Sequence, residues 1–243
     1  MSSEDRYILT RDYLDNSRLN LYHYQWIEVF GYHTHPKIPI DSPNLRIADV
    51  GTGTGVWLTD LATRLPPSVQ LDGLDISLHA LPPREWLPPN VHVREWDMKG
   101  GVPDDLVGVY DIVHARNLAF AVTDDEIKHV LENFFKILKP GGYLQFGESD
   151  IHDGRWRVDM TNPQNKIDAH KKLIHLTLGQ DPSLAFAMHQ CQLIVHDLIP
   201  RKLGNEDVRK EVQRLLPEVH QETLAGACFA MPRLTVVGRK PEA

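Results

Sequence analysis

The apolar positions of this chain change rhythm repeatedly between residues 46 and 149. Residues 46–50 (RIADV) form a short apolar run with β-formers and read as a buried strand. Beyond a glycine-rich turn, Leu58, Leu61, Ala62 and Leu65 recur at i, i+3, i+4 and i+7, one face of a helix that Pro66 and Pro67 stop. Residues 69–77 (VQLDGLDIS) read as a second strand. The next stretch, 78–90, holds two Pro-Pro pairs, so any helix there is short or absent. Residues 91–97 alternate as a third strand, and 110–117 as a fourth. Thr123 and Glu126 have the spacing of a capping box. Ile127, Val130, Leu131, Phe134 and Leu138 then follow at helical spacing. Residues 139–142 (KPGG) end that helix, and a fifth strand begins with GYLQFGES. Strands alternating with helices through short connections predict an α/β fold with a mostly parallel sheet.

The two ends follow other patterns. Residues 13–30 predict an amphipathic helix outside the sheet. Asn162–Pro163 starts a helix with Ile167, Ile174 and Leu178 on one face. Residues 191–200 (CQLIVHDLIP) read as a strand. Residues 205–224 read as helix, with Pro217 expected to end or kink it. Residues 233–240 read as the last strand. With no linker, repeat or low-complexity tract, the expectation is a single domain over 1–243. Within it, 1–40 is an N-terminal helical cap, 45–150 the core, and 151–243 a segment completing the sheet.

Composition narrows the function. The 243 residues carry a net charge of −7, which argues against a general binder of nucleic acid or anionic membrane. Cys191 and Cys228 have no CxxC spacing, so neither a disulfide framework nor a zinc site is expected. Thirteen histidines include no HExxH pattern, and no metal is expected. No apolar run is long enough for a membrane span, and the start of the chain has no apolar signal region, so a cytoplasmic location is expected.

The chemistry concentrates at ADVGTGTGVW (48–57). Gly51, Gly53 and Gly55 let backbone approach a ligand where side chains would clash. A phosphate loop would need Gly-Lys-Ser/Thr, which is absent. A dinucleotide loop would place its third glycine where Val56 stands. Here the third glycine comes one residue early, with Val56 and Trp57 behind it, which suits a ligand with no pyrophosphate at the helix start. Asp75, twenty residues past Gly55, ends the second strand with neighbouring Ile76, where a carboxylate accepts from two ribose hydroxyls. Asp97 is placed to accept from an adenine amino group, and the Met98 N–H to pair with the ring. Together these describe an adenosine without phosphates, and the candidate is S-adenosylmethionine. Asp49 reads equally as a ligand-side acid or a loop brace, and Thr52 lies within the loop itself. His114 and Arg116 fall at the end of the fourth strand, beside the expected reactive end. His114 reads also as a satisfied core histidine, and Arg116 as an ion-pair residue.

ADVGTGTGVW, the acidic second strand, WDM, YDIVHARNL and LKPGGYLQFGESD, in this order, resemble the class I S-adenosylmethionine-dependent methyltransferases over about residues 45–150. RYILTRDYLDNSRLNLYHYQW, WLPPNV and HARNL resemble a fungal subgroup of that family. The subgroup includes small-molecule methyltransferases of secondary metabolism and a nuclear regulator of such pathways. The resemblance implies a Rossmann-like sheet of seven strands with helices on both faces and an N-terminal helical cap. It implies methyl transfer to a small metabolite, at oxygen or nitrogen. The partner expected is a small-molecule substrate, without nucleic acid or membrane, and the reading allows a homodimer. Segment 151–243 becomes the substrate side, although residues 180–230 match the subgroup poorly. Tyr22 and His23 are candidates for a lid over the cofactor, and His23, His152 and Glu148 for the general base. Two alternatives stay open: a regulatory protein that binds the cofactor, or a methyltransferase fold running a non-methyl reaction such as cyclisation or isomerisation.

Overall fold

The computed structural model describes residues 7–149, 157–160, 185–225, 227–230 and 233–242. Its main sheet has the strands β1 (Arg46–Val50), β2 (Gln70–Asp75), β3 (Val91–Glu95), β4 (Tyr110–Arg116), β5 (Leu138–Ser149) and β8 (Arg233–Arg239) in the order β3-β2-β1-β4-β5-β8. The pairs β1–β2, β2–β3, β1–β4 and β4–β5 are parallel. The order reverses between β1 and β4. In open parallel sheets the crevice at such a point, beyond the carboxyl ends of the strands, is where ligands bind.

Side chains on neighbouring strand positions enter opposite layers. Ile47, Leu71 and Ile112 pack with Trp57, Leu58 and Leu61 of α2 (Val56–Ala62). Ala48, Val50, Val113 and Ala115 pack with Val130, Phe134 and Ile137 of α3 (Ile127–Ile137). Helices therefore cover both faces, as the period-2 and period-3.6 patterns require. The capping box forms by half. The Glu126 carboxylate accepts from the Thr123 N–H at 3.0 Å, while the Thr123 hydroxyl donates to Asp125 at 2.6 Å.

Three expectations change. The main sheet has six strands among the described residues instead of seven. β6 (Arg157–Met160) and β7 (Ala227–Ala230) pair antiparallel in a small sheet of their own. Residues 191–200 are helical, inside α4 (Ala185–Leu203). Cys191, Val195 and Leu198 are its buried apolar positions, and their i, i+4, i+7 spacing is that of a helix. α5 (Glu206–Leu224) continues past Pro217, which does not end it.

The chain divides into two compact units. One holds Phe30–Glu148 and the last strand from Thr235 onward; the other holds Tyr7–Val29 and Ser149–Leu234. α1 (Tyr13–Phe30) buries Arg18, Tyr22, His23, Gln25 and Trp26. No helix among the described residues is long and apolar enough to cross a membrane.

Candidate functional site

β1 delivers the chain to the switch point, where Gly51, Gly53 and Gly55 have φ of 72°, 55° and 72°. All three lie in the left-handed region, which a side chain makes costly. The turn is anchored to β2: the Gly51 N–H donates to the Leu74 carbonyl at 2.8 Å. The Gly53 N–H donates to the Asp75 carboxylate at 2.9 Å, and the Ser77 N–H to its other oxygen at 3.1 Å. Glycine loop and acid are thus one hydrogen-bonded unit. An ionised carboxylate offers about four acceptor sites, so Asp75 can hold the loop and still accept from a diol. A bare backbone turn beside such a carboxylate fits the ribose of an adenosine. Ile76 follows directly, partly buried.

Beneath the loop lies a buried polar group. The Asp49 carboxylate accepts from the Thr52 hydroxyl at 2.8 Å with one oxygen and bonds His114 Nδ1 at 2.7 Å with the other. His114 also stacks on Trp57, with ring centroids 3.9 Å apart and planes within 3°. Burial pushes the imidazole below its usual pKa; the hydrogen bond and charge of Asp49 oppose that, and the Arg116 charge adds to it. A neutral ring donating Nδ1–H to Asp49 meets these conditions. Register puts Gln145 of β5 beside His114. Its amide accepts from the His35 N–H at 2.7 Å and donates to the His33 carbonyl at 2.9 Å. The segment entering the sheet is thereby clamped to β5.

The loop after β3 carries Asp97 and Met98. The Asp97 carboxylate accepts from the Lys99 N–H at 3.0 Å, and Met98 packs against the core layer of α3. Asn133 of α3 donates to the carbonyls of Met98 and Gly100. At the end of β4, Arg116 precedes Asn117, whose φ is 58°. The next two N–H groups, of Leu118 and Ala119, donate to the Glu148 carboxylate at 2.7 and 3.2 Å. Glu148 therefore closes the turn after β4.

One unit brings together Asp49, Gly51, Thr52, Gly53, Gly55, Asp75, Ile76, Asp97, Met98, His114, Arg116 and Glu148. Tyr22 and His23 belong to the other, where the Tyr22 hydroxyl and that of Ser149 are 2.8 Å apart. His152 lies outside the described residues. Sequence reasoning missed Gln145 and Asn133. The signal for Asn133 was available: it interrupts the apolar stripe of α3, and a polar residue kept in such a stripe implies specific hydrogen bonds.

A family model described as a methyltransferase domain matches residues 48–144. The methyltransferase grgD of a Penicillium species is 39% identical over 128 residues, 49% of this chain and 44% of grgD. The N-methyltransferase gliN of Aspergillus fumigatus is 32% identical over 150 residues, 61% of this chain and 52% of gliN. The secondary metabolism regulator laeA of Coprinopsis cinerea is 29% identical over 151 residues, 60% of this chain and 36% of that protein. The chain spans about half the length, or less, of these relatives. The glycine turn, the acid on β2 and the switch point between β1 and β4 all fall in the stretch that matches the methyltransferase-domain model, residues 48–144.

Proposed function

We propose that the protein transfers a methyl group from S-adenosylmethionine to a nitrogen or oxygen of a small metabolite. The carrying observation is the left-handed glycine turn bonded through the Gly53 N–H to Asp75. The name of gliN as an N-methyltransferase favours nitrogen. The acidic net charge supports a small-molecule substrate over nucleic acid, and a cytoplasmic site of action goes with this reading.

The electrophilic methyl comes with S-adenosylmethionine when it is bound. The chain's own residues then have to hold, orient and exclude water. In this reading Gly51, Gly53 and Gly55 let backbone meet the nucleoside, Asp75 accepts from the ribose hydroxyls, and Asp97 accepts from the adenine amino group. Asp49, Thr52 and His114 brace the glycine turn from below, because both Asp49 oxygens are engaged there. Glu148 holds the turn after β4 through two backbone donors, which supports a positioning role over that of proton acceptor. His23 and His152 remain the candidate bases, with Tyr22 as a lid residue.

Calorimetry with S-adenosylhomocysteine tests the first half of the proposal. Incubation with methyl-labelled S-adenosylmethionine and a fungal metabolite extract, read by mass spectrometry for products heavier by one CH2, tests the second. Absence of nucleoside binding sinks the proposal. Binding without any labelled product favours a regulatory role, the reading that the similarity to laeA supports.

A further inference from the structure

We propose that Asn133 is a positioning residue that fixes the Asp97 carboxylate for adenine recognition, acting through the peptide group between Met98 and Lys99. The inference rests on the methyl-transfer reading above.

Asn133 is fully buried, in the stripe that holds Val130, Phe134 and Ile137. An aliphatic side chain would pack there at lower cost, since burying an amide is unfavourable unless it is hydrogen-bonded. Its amide nitrogen reaches the loop after β3. Nδ2 donates to the carbonyls of Met98 at 3.0 Å and Gly100 at 2.8 Å. Oδ1 accepts from Lys136 Nζ at 3.2 Å. Carbonyls only accept and an ammonium only donates, so these partners fix which way the amide points. His129 Nε2 lies 3.3 Å from Nδ2 on the preceding turn.

The peptide plane carries the effect onward. In a trans peptide the C=O and the following N–H point in opposite directions. With the Met98 carbonyl turned to α3, the Lys99 N–H faces the other way, and it donates to Asp97 Oδ1 at 3.0 Å. The Gly100 N–H donates to the Asp97 carbonyl at 2.9 Å. The Lys99 ammonium is held by Glu126 at 3.3 Å, so the loop is pinned to the α3 segment at two points. Without Asn133, two carbonyls face the core with no donor, and the peptide that orients Asp97 is released to turn.

The test compares binding of S-adenosylhomocysteine with S-inosylhomocysteine, in which a ring carbonyl replaces the adenine amino group. Asn133→Asp keeps the shape but turns an acceptor toward the two carbonyls. Asn133→Ala removes the donor without adding charge, and is read in the same way should the first variant not fold. The expected result is a folded variant whose Kd for the adenine compound rises by about tenfold or more. Its Kd for the inosine compound should shift by less than about threefold, so that base discrimination collapses. Equal weakening of both ligands would mark a merely structural residue and overturn the inference. So would a folded variant with wild-type discrimination. A wild-type protein that binds neither ligand overturns the methyl-transfer reading itself, whereas wild-type binding with unchanged variants overturns only the role of Asn133.

Discussion

Gly51 shows how much of this site is backbone. With φ at 72°, an L side chain there costs about 1–2 kcal/mol in backbone strain. An added Cβ would also sit 2.9 Å from Leu118 Cδ2, the movable end of a side chain. Gly51→Ala should therefore lose about 1–2 kcal/mol, mostly as strain, seen as a lower urea midpoint with unchanged slope. Asp75→Ala acts on the ligand instead. It removes a charged acceptor and should weaken S-adenosylhomocysteine binding by about 2 kcal/mol, or more than tenfold, by calorimetry. Unchanged affinity would remove Asp75 from the ribose site. His114 gives a pH signature. Its folded pKa is depressed, chiefly by burial, so below about 6.5, the unperturbed value, the unfolded chain binds the proton that the folded ring refuses. Stability is therefore full above that pH and falls as pH drops toward the depressed value. Asp49, Arg116 and Trp57 face the ring. Against wild type, His114→Asn should flatten that acid limb in chemical denaturation between about pH 6.5 and 5; parallel curves would contradict a neutral buried ring.

Among the elements, those with a local signature were legible and those fixed by distant partners were not. β1, the glycine turn and the acid of β2 could be read because strand, turn and carboxylate each follow from nearby residues. The Asp49–His114 bond joins strands 65 residues apart and the Gln145 clamp spans 110 or more, so neither leaves a pattern in any one window. Residues 191–200 show the other failure. A short apolar run fits strand or buried helix equally, and the structure makes it helix and carries α4 through Pro200. Pro217 in α5 is the same case. The helix survives it because Val212, Leu215 and Val219 are buried on one face and the Asn205 side chain caps the start, accepting from the Val208 N–H at 3.1 Å. Tertiary burial outweighs the lost bond. Pro217 is exposed, so Pro217→Ala removes no packing and restores a helix N–H. Interior proline costs about 3 kcal/mol, while its loss frees the unfolded chain by up to about 1 kcal/mol. The net expectation is a gain of about 1–2 kcal/mol, read as a higher Tm; a lower Tm would mean that the local helix is built around the proline.

At the scale of the whole molecule, α1 was expected as a cap, and its pattern said only that one face is buried. The structure groups it with the chain beyond Ser149, and the glycine turn with β1, β2 and β4 belongs to the other unit. Nothing in an amphipathic helix names its partner more than a hundred residues away. The interior it enters is unusually polar. Arg18 and Asp15 are both buried, with Nη2 to Oδ1 at 2.8 Å and Nε to the same oxygen at 3.0 Å. The second Asp15 oxygen accepts from the Tyr7 hydroxyl at 3.1 Å and the Arg11 N–H at 3.2 Å. Nearby, the Arg233 guanidinium lies over the Tyr22 ring at 4.9 Å. A buried pair adds little over an apolar substitute, but breaking one by removing a partner strands the other charge at about 3–5 kcal/mol. Asp15→Ala should carry that cost in one unit alone, because none of these contacts reaches the glycine turn. In the full chain, hydrogen exchange of α1 should then speed up by about two orders of magnitude or more. Exchange in β1, β2 and β4 should stay slow, and the Kd for S-adenosylhomocysteine should stay within about twofold. Equal loss of protection in the sheet, or a matching loss of nucleoside affinity, would show that the two units share one stability and that the cradle of Gly53 and Asp75 is not self-sufficient.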